Sequence, residues 1–593
     1  MGRGEMGRSA LPWLLVGATA LWLTAPLWGT AHAVWGLPAG DLAQTGWFYD
    51  WVAHRLGGSM EFLQGFNHPQ PLRRIDEFPN VLDAVLAAPW AFLLDYPQQY
   101  GAAQAQAVLV NGLGVAWLAW ALGCRGVGLV VAGVLGVCCQ QVWRELYMAR
   151  LNAALPGLAA AALAAWLGVL EGGLSHGRAA LRAGVAAALG ACAALTYPPT
   201  LALLVPAGVV LGLGRVKQAR LQGVLWGLAA LAVAWILVGG ELEAIRRSPR
   251  ASDGMAGKEI VCTLGLGCGQ LAERIRLEVG FTFLQDFFRV GDTASGNWVR
   301  SGLLLGAWVP ALALLVLPKT RWVGGGLLVW AGVLALLSLG PCPHATATRE
   351  LPMGIPGISG QAWCALGALH DFGRLLTVAS ILFAALVGWA CESVVGASGR
   401  RWLPWVVGGL AVAGPVHAAR SQLQVPGRWL AVPEISTTAF LREAELGSVV
   451  ELPFDRRVQY LSALQVPERP RVNPLNSKPR GYSASLQIRP GDEDHPFVGW
   501  LMGLGRGEVG EPPSKQEALA SGVRWVLFDP ERCGGRALKE LPSGSRPINR
   551  LQGWADASPT ACAPAVVSAL TDLLGSPRTL PSQALAWRVG QPL

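Results

Sequence analysis

The feature that most restricts this chain is a series of apolar runs, most of them near the ~20 residues a helix needs to cross the hydrocarbon core of a bilayer. They fall at 11–31, 102–123, 126–142, 152–170, 180–195, 200–214, 221–240, 301–317, 322–340, 373–391 and 402–418. Inside lipid every backbone N–H and C=O must be satisfied within its own helix, so a helical bundle is the expected outcome. Charge agrees, since only 14% of residues are Asp, Glu, Lys or Arg, against about 25% in ordinary soluble domains. The formal charge of +9 implies no nucleic-acid partner, because basic residues collect in the turns between spans for topological reasons alone.

Two segments need a decision. Arg3, Arg8, the apolar run 11–28 and the triplet Ala31-His32-Ala33 resemble a cleavable signal, but the run is long for a signal core and a retained first helix is expected. The stretch 81–94 ("VLDAVLAAPWAFLL") is short and holds Asp83 and Pro89. Read as an interfacial helix, it leaves Arg125, Arg178, Arg182, Arg215, Lys217, Arg220, Lys319, Arg321, Arg400 and Arg401 on the side of Arg3 and Arg8. That parity gives a cytoplasmic N-terminus, outer loops at 32–101, 241–300 and 341–372, and an outer C-terminal domain.

Cysteine placement offers an independent check, because disulfides persist in oxidising compartments. Cys262 with Cys268, Cys342 with Cys364, and Cys533 with Cys562 all fall in segments assigned outside by charge, and are disulfide candidates; free thiols remain the alternative.

The expected fold is a membrane all-α bundle of about 11 transmembrane helices over 1–419, with interfacial helices in the first outer loop, followed by a small α/β extracytoplasmic domain over 420–593. In that domain "SVVELPF" (448–454) and "VRWVLFD" (523–529) read as buried strands, and "SKQEALASG" (514–522) as a helix closed by Gly522. The stretch 480–513, rich in Gly, Pro and charge, reads as a long loop, including "GLGRGEVG" at 503–510. The chain has no P-loop, no dinucleotide fingerprint between strand and helix, no HExxH and no serine nucleophile elbow.

The order of parts in the first third is more informative. One span leads to an outer segment with acids near its start ("PAGDLAQTGWFYDW"), then "FNHPQPLRRIDEFPNVLDAVLAAPWAFLL", two further spans, and an outer turn "WRELYMARLNAALPG". This resembles the GT-C superfamily of membrane glycosyltransferases, and "ALHDFGRLLTVASILFAALVGWA" with the tail's "VVELPF" and "GVRWVLFD" looks like a poorly characterised bacterial branch of it. The resemblance implies a multi-pass protein of the bacterial cytoplasmic membrane that moves a sugar from a polyprenyl-phosphate donor to an envelope acceptor. It places Asp41 at the first-loop catalytic acid and Glu145 at the second. Members often carry two acids adjacent at the first site, whereas Asp41 stands alone between Gly40 and Leu42.

Such a transfer needs a carboxylate for the acceptor and cations for the departing phosphate. Arg150 and Arg374, each at the outer end of an expected span, are the candidate phosphate clamps, with Asp50 as a further substrate-binding candidate. Competing roles stay open: Asp41 as a helix N-cap, Asp50 as a solvated or Arg-paired acid, Glu145 and Arg150 as interface anchors, His370-Asp371 as a loop salt bridge. "TYPPT" (196–200) reads as a plain turn. A divalent metal is compatible with the superfamily, but no ligand cluster demands one. The partners expected are a polyprenyl-phosphate-linked sugar and membrane lipid, with no nucleic acid. The rival reading is a non-catalytic protein that keeps this scaffold to bind or present a lipid or envelope partner. Transport ranks last, since no buried ionisable pair is evident in the spans.

Overall fold

The structure is a computed structural model. It describes residues 3–36 and 42–247 with breaks at 57, 59–61, 64–71, 74–80, 171–174 and 217–220, then 312, 314–315, 321–338, 344–346, 349–350, 373–398, 402–466 apart from 426–427 and 455, 495–533 and 559–590. The chain forms two compact units: residues 1–30, 80–87 and 101–428, and residues 31–79, 88–100 and 429–593.

Among its described residues the first unit is mostly helical, with one short antiparallel pair, His344–Thr346 with Arg349–Glu350. Among the described residues six helices are long and apolar enough to cross a membrane: Ala10–Gly29, Gln98–Ala121, Val127–Tyr147 taken across an internal break, His176–Thr196, Leu221–Ala244 and Arg374–Ser393. Pro156–Val169, Pro198–Leu213 and Trp322–Leu337 are shorter apolar helices at other expected spans, and Leu403–Leu423 is helical too. Most of 301–317 lies outside the described residues. A chain with this set of helices is a multi-pass membrane protein.

Helix pairs in lipid associate by close packing more than by the hydrophobic effect, so small residues sit where backbones meet. Gly128 of the helix Val127–Val137 and Gly388 of Gly373–Ser398 face each other so closely that a Cβ on either would overlap the other's carbonyl oxygen. The same two helices are joined at one end by Glu392, whose Oε2 accepts from the Gly128 N–H at 3.0 Å. Asn111, fully buried, donates from Nδ2 to the Ala154 carbonyl at 2.6 Å and accepts from the Gly157 N–H at 2.6 Å. It thereby satisfies the start of the helix Pro156–Val169, where an unpaired N–H in an apolar bundle would be costly.

The second unit is built on a four-stranded mixed sheet. Ser448–Leu452 pairs in parallel with Val523–Phe528, which pairs antiparallel with Leu585–Arg588, and Arg578–Thr579 closes the order. Side chains alternate between two apolar clusters: Val450, Leu452, Val526, Phe528 and Trp587 on one face, Val449, Trp525, Leu527 and Ala586 on the other. Burial on both faces is why these strands read as continuous apolar runs. Ser514 caps the helix Lys515–Ala520 with a reciprocal Ser514–Glu517 box. The early segment belongs here as well. Ala33–Trp35 pairs antiparallel with Trp429–Ala431, and the helix Leu42–Ala53 packs on Arg456–Gln465, with Trp47 and Tyr460 rings 5.5 Å apart.

Two sequence expectations are corrected. The region 480–513 is not loop throughout, because Pro496–Arg506 is a helix whose Phe497, Leu501, Met502 and Leu504 are buried. Pro496 at its first position and Gly507 at φ 88 in its left-handed cap are helix punctuation, and their composition imitates a loop. The segment 126–142 is not one continuous span either. The helix stops at Val137, and a second helix Gln140–Tyr147 takes up the first five residues of what reads as the turn beginning at Trp143.

Candidate functional site

Within the first unit, three distant stretches of sequence converge on Glu145. It lies on Gln140–Tyr147, whose side chains are all buried or nearly so, and it is itself 0% exposed. Arg144 donates from Nη1 to Glu145 Oε1 at 3.0 Å, and Arg374 Nε stands 3.5 Å from Oε2. Arg374 is the second residue of the helix Gly373–Ser398. From its other side, Nη1 donates to the Tyr197 hydroxyl at 2.9 Å, and the guanidinium carbon lies 4.9 Å from the centre of the Tyr197 ring. Tyr197 occupies the junction between His176–Thr196 and Pro198–Val216.

The turn after Glu145 is equally specific. The Glu145 carbonyl accepts from the Arg150 N–H at 2.8 Å and the Leu146 carbonyl from the Ala149 N–H at 3.1 Å, with Ala149 left-handed at φ 59. This is the paired hydrogen-bond pattern of a Schellman cap, with alanine where glycine is usual. It folds the half-buried Arg150 back along the turn that holds Glu145. Holding an alanine there costs on the order of 1–2 kcal/mol. Such strain persists where surrounding packing over-determines it, often at functional sites.

A carboxylate and two guanidiniums in a low-dielectric bundle interact far more strongly than in water, and each must be compensated to be there at all. Both oxygens of Glu145 face cations, so what this geometry does is orient guanidinium planes. A guanidinium so oriented is suited to a planar, multi-oxygen anion such as phosphate. This buried cluster also corrects the sequence reading that the spans hold no buried ionisable pair.

In the second unit, Asp50 lies on Leu42–Ala53, with its carboxylate 3.7 Å from His54 Nδ1. Partial burial pushes its pKa up, the nearby His54 pulls it down, and Asp95 pushes it up again. Asp41 lies outside the described residues, as does His370-Asp371. Cys533 and Cys562 form a disulfide; Cys262, Cys268, Cys342 and Cys364 also lie outside the described residues. Among the described residues no group of three or more His, Cys, Asp or Glu is placed to hold a metal ion.

Sequence reasoning did not single out Arg144, Tyr197 or a second buried network. In the second unit Glu451 accepts from Arg532 Nη2 at 2.7 Å and from Ser462 at 2.8 Å, while Asp529 accepts from Ser436 at 2.7 Å. Glu451, Asp529 and Arg532 are each at most 1% exposed. The available signal was acids and an arginine inside apolar strand ends, in "VVELPF" and "VLFDPERC".

No protein-family model matches the chain, and no curated protein matches it. Among solved structures it is similar to the Archaeoglobus fulgidus oligosaccharyltransferase in complex with Zn and sulfate, at TM-score 0.47 and 12% identity, over 91% of this chain and 70% of that one. It is similar to the arabinofuranosyltransferase AftD from Mycobacteria at TM-score 0.45 and 14% identity, over 88% of this chain and 37% of that one. It is similar to ArnT from Cupriavidus metallidurans bound to undecaprenyl phosphate at TM-score 0.40 and 13% identity, over 89% of this chain and 95% of that one.

Proposed function

We propose that this chain is a GT-C-type membrane glycosyltransferase that moves a sugar from a polyprenyl-phosphate donor to an envelope acceptor at the outer face of the bacterial cytoplasmic membrane. The observation that supports the reading most is the buried Arg144–Glu145–Arg374–Tyr197 cluster. Ionisable side chains inside a membrane bundle are expensive and mark functional sites by default. Here they orient cations suited to a lipid-linked phosphate.

In this proposal Asp41 deprotonates or orients the acceptor hydroxyl, and Asp50 contributes to substrate binding. Glu145 supports the chemistry by fixing the two guanidiniums. Arg374 or Arg150 binds the phosphate and stabilises the charge that develops on it as the glycosidic bond breaks. The topology proposed is about 11 spans, with the N-terminus cytoplasmic and the domain 420–593 extracytoplasmic. The experiment is sugar transfer in membranes containing wild type or Asp41→Asn at matched expression. Loss of transfer supports the assignment; transfer at the wild-type rate from a folded Asp41→Asn protein contradicts it.

A second reading, transport, is favoured by the break at Cys138–Cys139 beside the buried ion cluster, since transporters build midplane sites from interrupted helices. It predicts ion-coupled uptake into proteoliposomes with no covalent product. The rival of a non-catalytic lipid-binding protein predicts bound polyprenyl phosphate with no transfer.

A further inference from the structure

We propose that the Thr377 hydroxyl, one helical turn beyond Arg374, is a hydrogen-bonding group for a phosphate oxygen held by Arg374. The inference rests on the phosphate-binding reading of that arginine. Residues three apart on a helix share a face, so Thr377 follows Arg374 along the side where the helix Gly373–Ser398 meets Gln140–Tyr147.

Thr377 is 2% exposed, and its Oγ1 has no hydrogen-bond partner among the described residues. A buried hydroxyl left unpaired costs about 1–3 kcal/mol, and native structures hold few of them. Helical threonines ordinarily escape this cost by bonding back to the carbonyl four residues earlier. Elsewhere this chain follows that habit. Thr19 bonds to Leu15, Thr24 to Ala20, Thr30 to Pro26, Thr196 to Cys192 and Thr571 to Val567, at 2.7–3.1 Å. Thr377 does not bond back to Gly373, although that carbonyl is within its helix. Its hydroxyl therefore keeps its hydrogen-bonding capacity for a group from elsewhere.

The surroundings favour an anionic acceptor. Arg374 is fixed by Glu145 and Tyr197, and it occupies the first turn of its helix, where the positive end of the helix dipole adds to its charge. A phosphate oxygen reaching Arg374 accepts naturally from a hydroxyl on the next turn. The chemistry is that of a phosphate ester, and a lipid phosphate and free inorganic phosphate share it.

Binding is measured on full-length protein in nanodiscs, with undecaprenyl phosphate, inorganic phosphate and phosphatidylglycerol as separate probes, for wild type, Thr377→Val, Thr377→Ser and Arg374→Gln. Thr377→Val keeps the shape and removes the hydroxyl. It is expected to weaken undecaprenyl phosphate roughly tenfold, the worth of one hydrogen bond to a charged group, with Thr377→Ser close to wild type. Folding is secure in this variant, because deleting an unpaired buried hydroxyl leaves the melting temperature unchanged or higher. Wild-type affinity in Thr377→Val overturns the inference. If Arg374→Gln still loses binding in that case, the phosphate reading of the site survives without Thr377. No binding of undecaprenyl phosphate or inorganic phosphate by wild type overturns both. Binding of inorganic phosphate alone, weakened by Thr377→Val, supports the subsite with free phosphate as its source.

Discussion

Arg374 and Tyr197, 177 positions apart, are joined twice: a 2.9 Å hydrogen bond from guanidinium to phenol, and the guanidinium carbon 4.9 Å from the ring centre. Together with the Glu145 contact, this determines how the arginine plane is turned. Tyr197→Phe keeps the ring and loses the hydroxyl, whereas Tyr197→Ala loses both. Sugar transfer is expected to fall about tenfold in the first and further in the second, through KM for the lipid donor more than kcat, since one hydrogen bond to a charged group contributes about 1.5–3 kcal/mol. Steady-state kinetics with varied donor checks the split.

Glu145→Gln removes the carboxylate from between two guanidiniums. Deleting one partner of a buried ion pair leaves uncompensated charge and costs about 3–5 kcal/mol. A large drop in melting temperature is expected in detergent, and it is expected to shrink when Arg144 is also replaced by a neutral residue. Differential scanning fluorimetry of the single and double variants measures that coupling.

Ala149→Gly relaxes the left-handed residue of the cap after Glu145. The relief of about 1–2 kcal/mol is partly offset by the greater freedom of glycine in the unfolded chain, leaving a net gain of about 0.5–1 kcal/mol. Activity is expected to fall if strain at Ala149 helps set the position of Arg150. Thermal melting and transfer assays on the same preparation report the two effects separately.

Asp529 titrates in an unusual direction. Burial raises its pKa above the ordinary 3.8, outweighing the opposing pull of Arg532 and the hydrogen bonds from Ser436 and the Glu531 N–H, and Glu451 raises it further. The folded state therefore binds this proton more tightly than the unfolded chain does. Its contribution to stability is full below pH 3.8 and is lost as pH rises through the folded value. Asp529→Asn is expected to flatten that part of the stability–pH curve of the domain, followed by circular dichroism.

The disulfide Cys533–Cys562 closes a separation of 29 residues. By loop entropy such a link contributes about 3–4 kcal/mol. Paired replacement of both cysteines by serine is expected to lower the melting temperature of the second unit and to abolish the cross-linked peptide in non-reducing mapping.

What was legible in the sequence depended on how local the signal was. The strands Ser448–Leu452 and Val523–Phe528 announce themselves because both faces are buried, and the long spans because lipid demands about 20 apolar residues. The break at Cys138–Cys139 is hidden because the residues before it, "GVLGVCC", stay apolar to its edge. The helix Pro496–Arg506 is hidden by its own caps, whose proline and glycine imitate a loop. Glu145 and Arg374 are candidates by type and place in the sequence, but their contact with Tyr197 is hidden, because the tyrosine of "TYPPT" reaches Arg374 only across 177 positions of chain.

The central claim is that this bundle handles a lipid-linked sugar phosphate, and native mass spectrometry of wild-type protein purified from its own membrane tests it most directly. The account predicts a co-purifying polyprenyl phosphate or polyprenyl-phosphate sugar that is lost in Arg374→Gln. Wild-type protein that is folded, free of any such lipid and unable to take it up when supplied would contradict it.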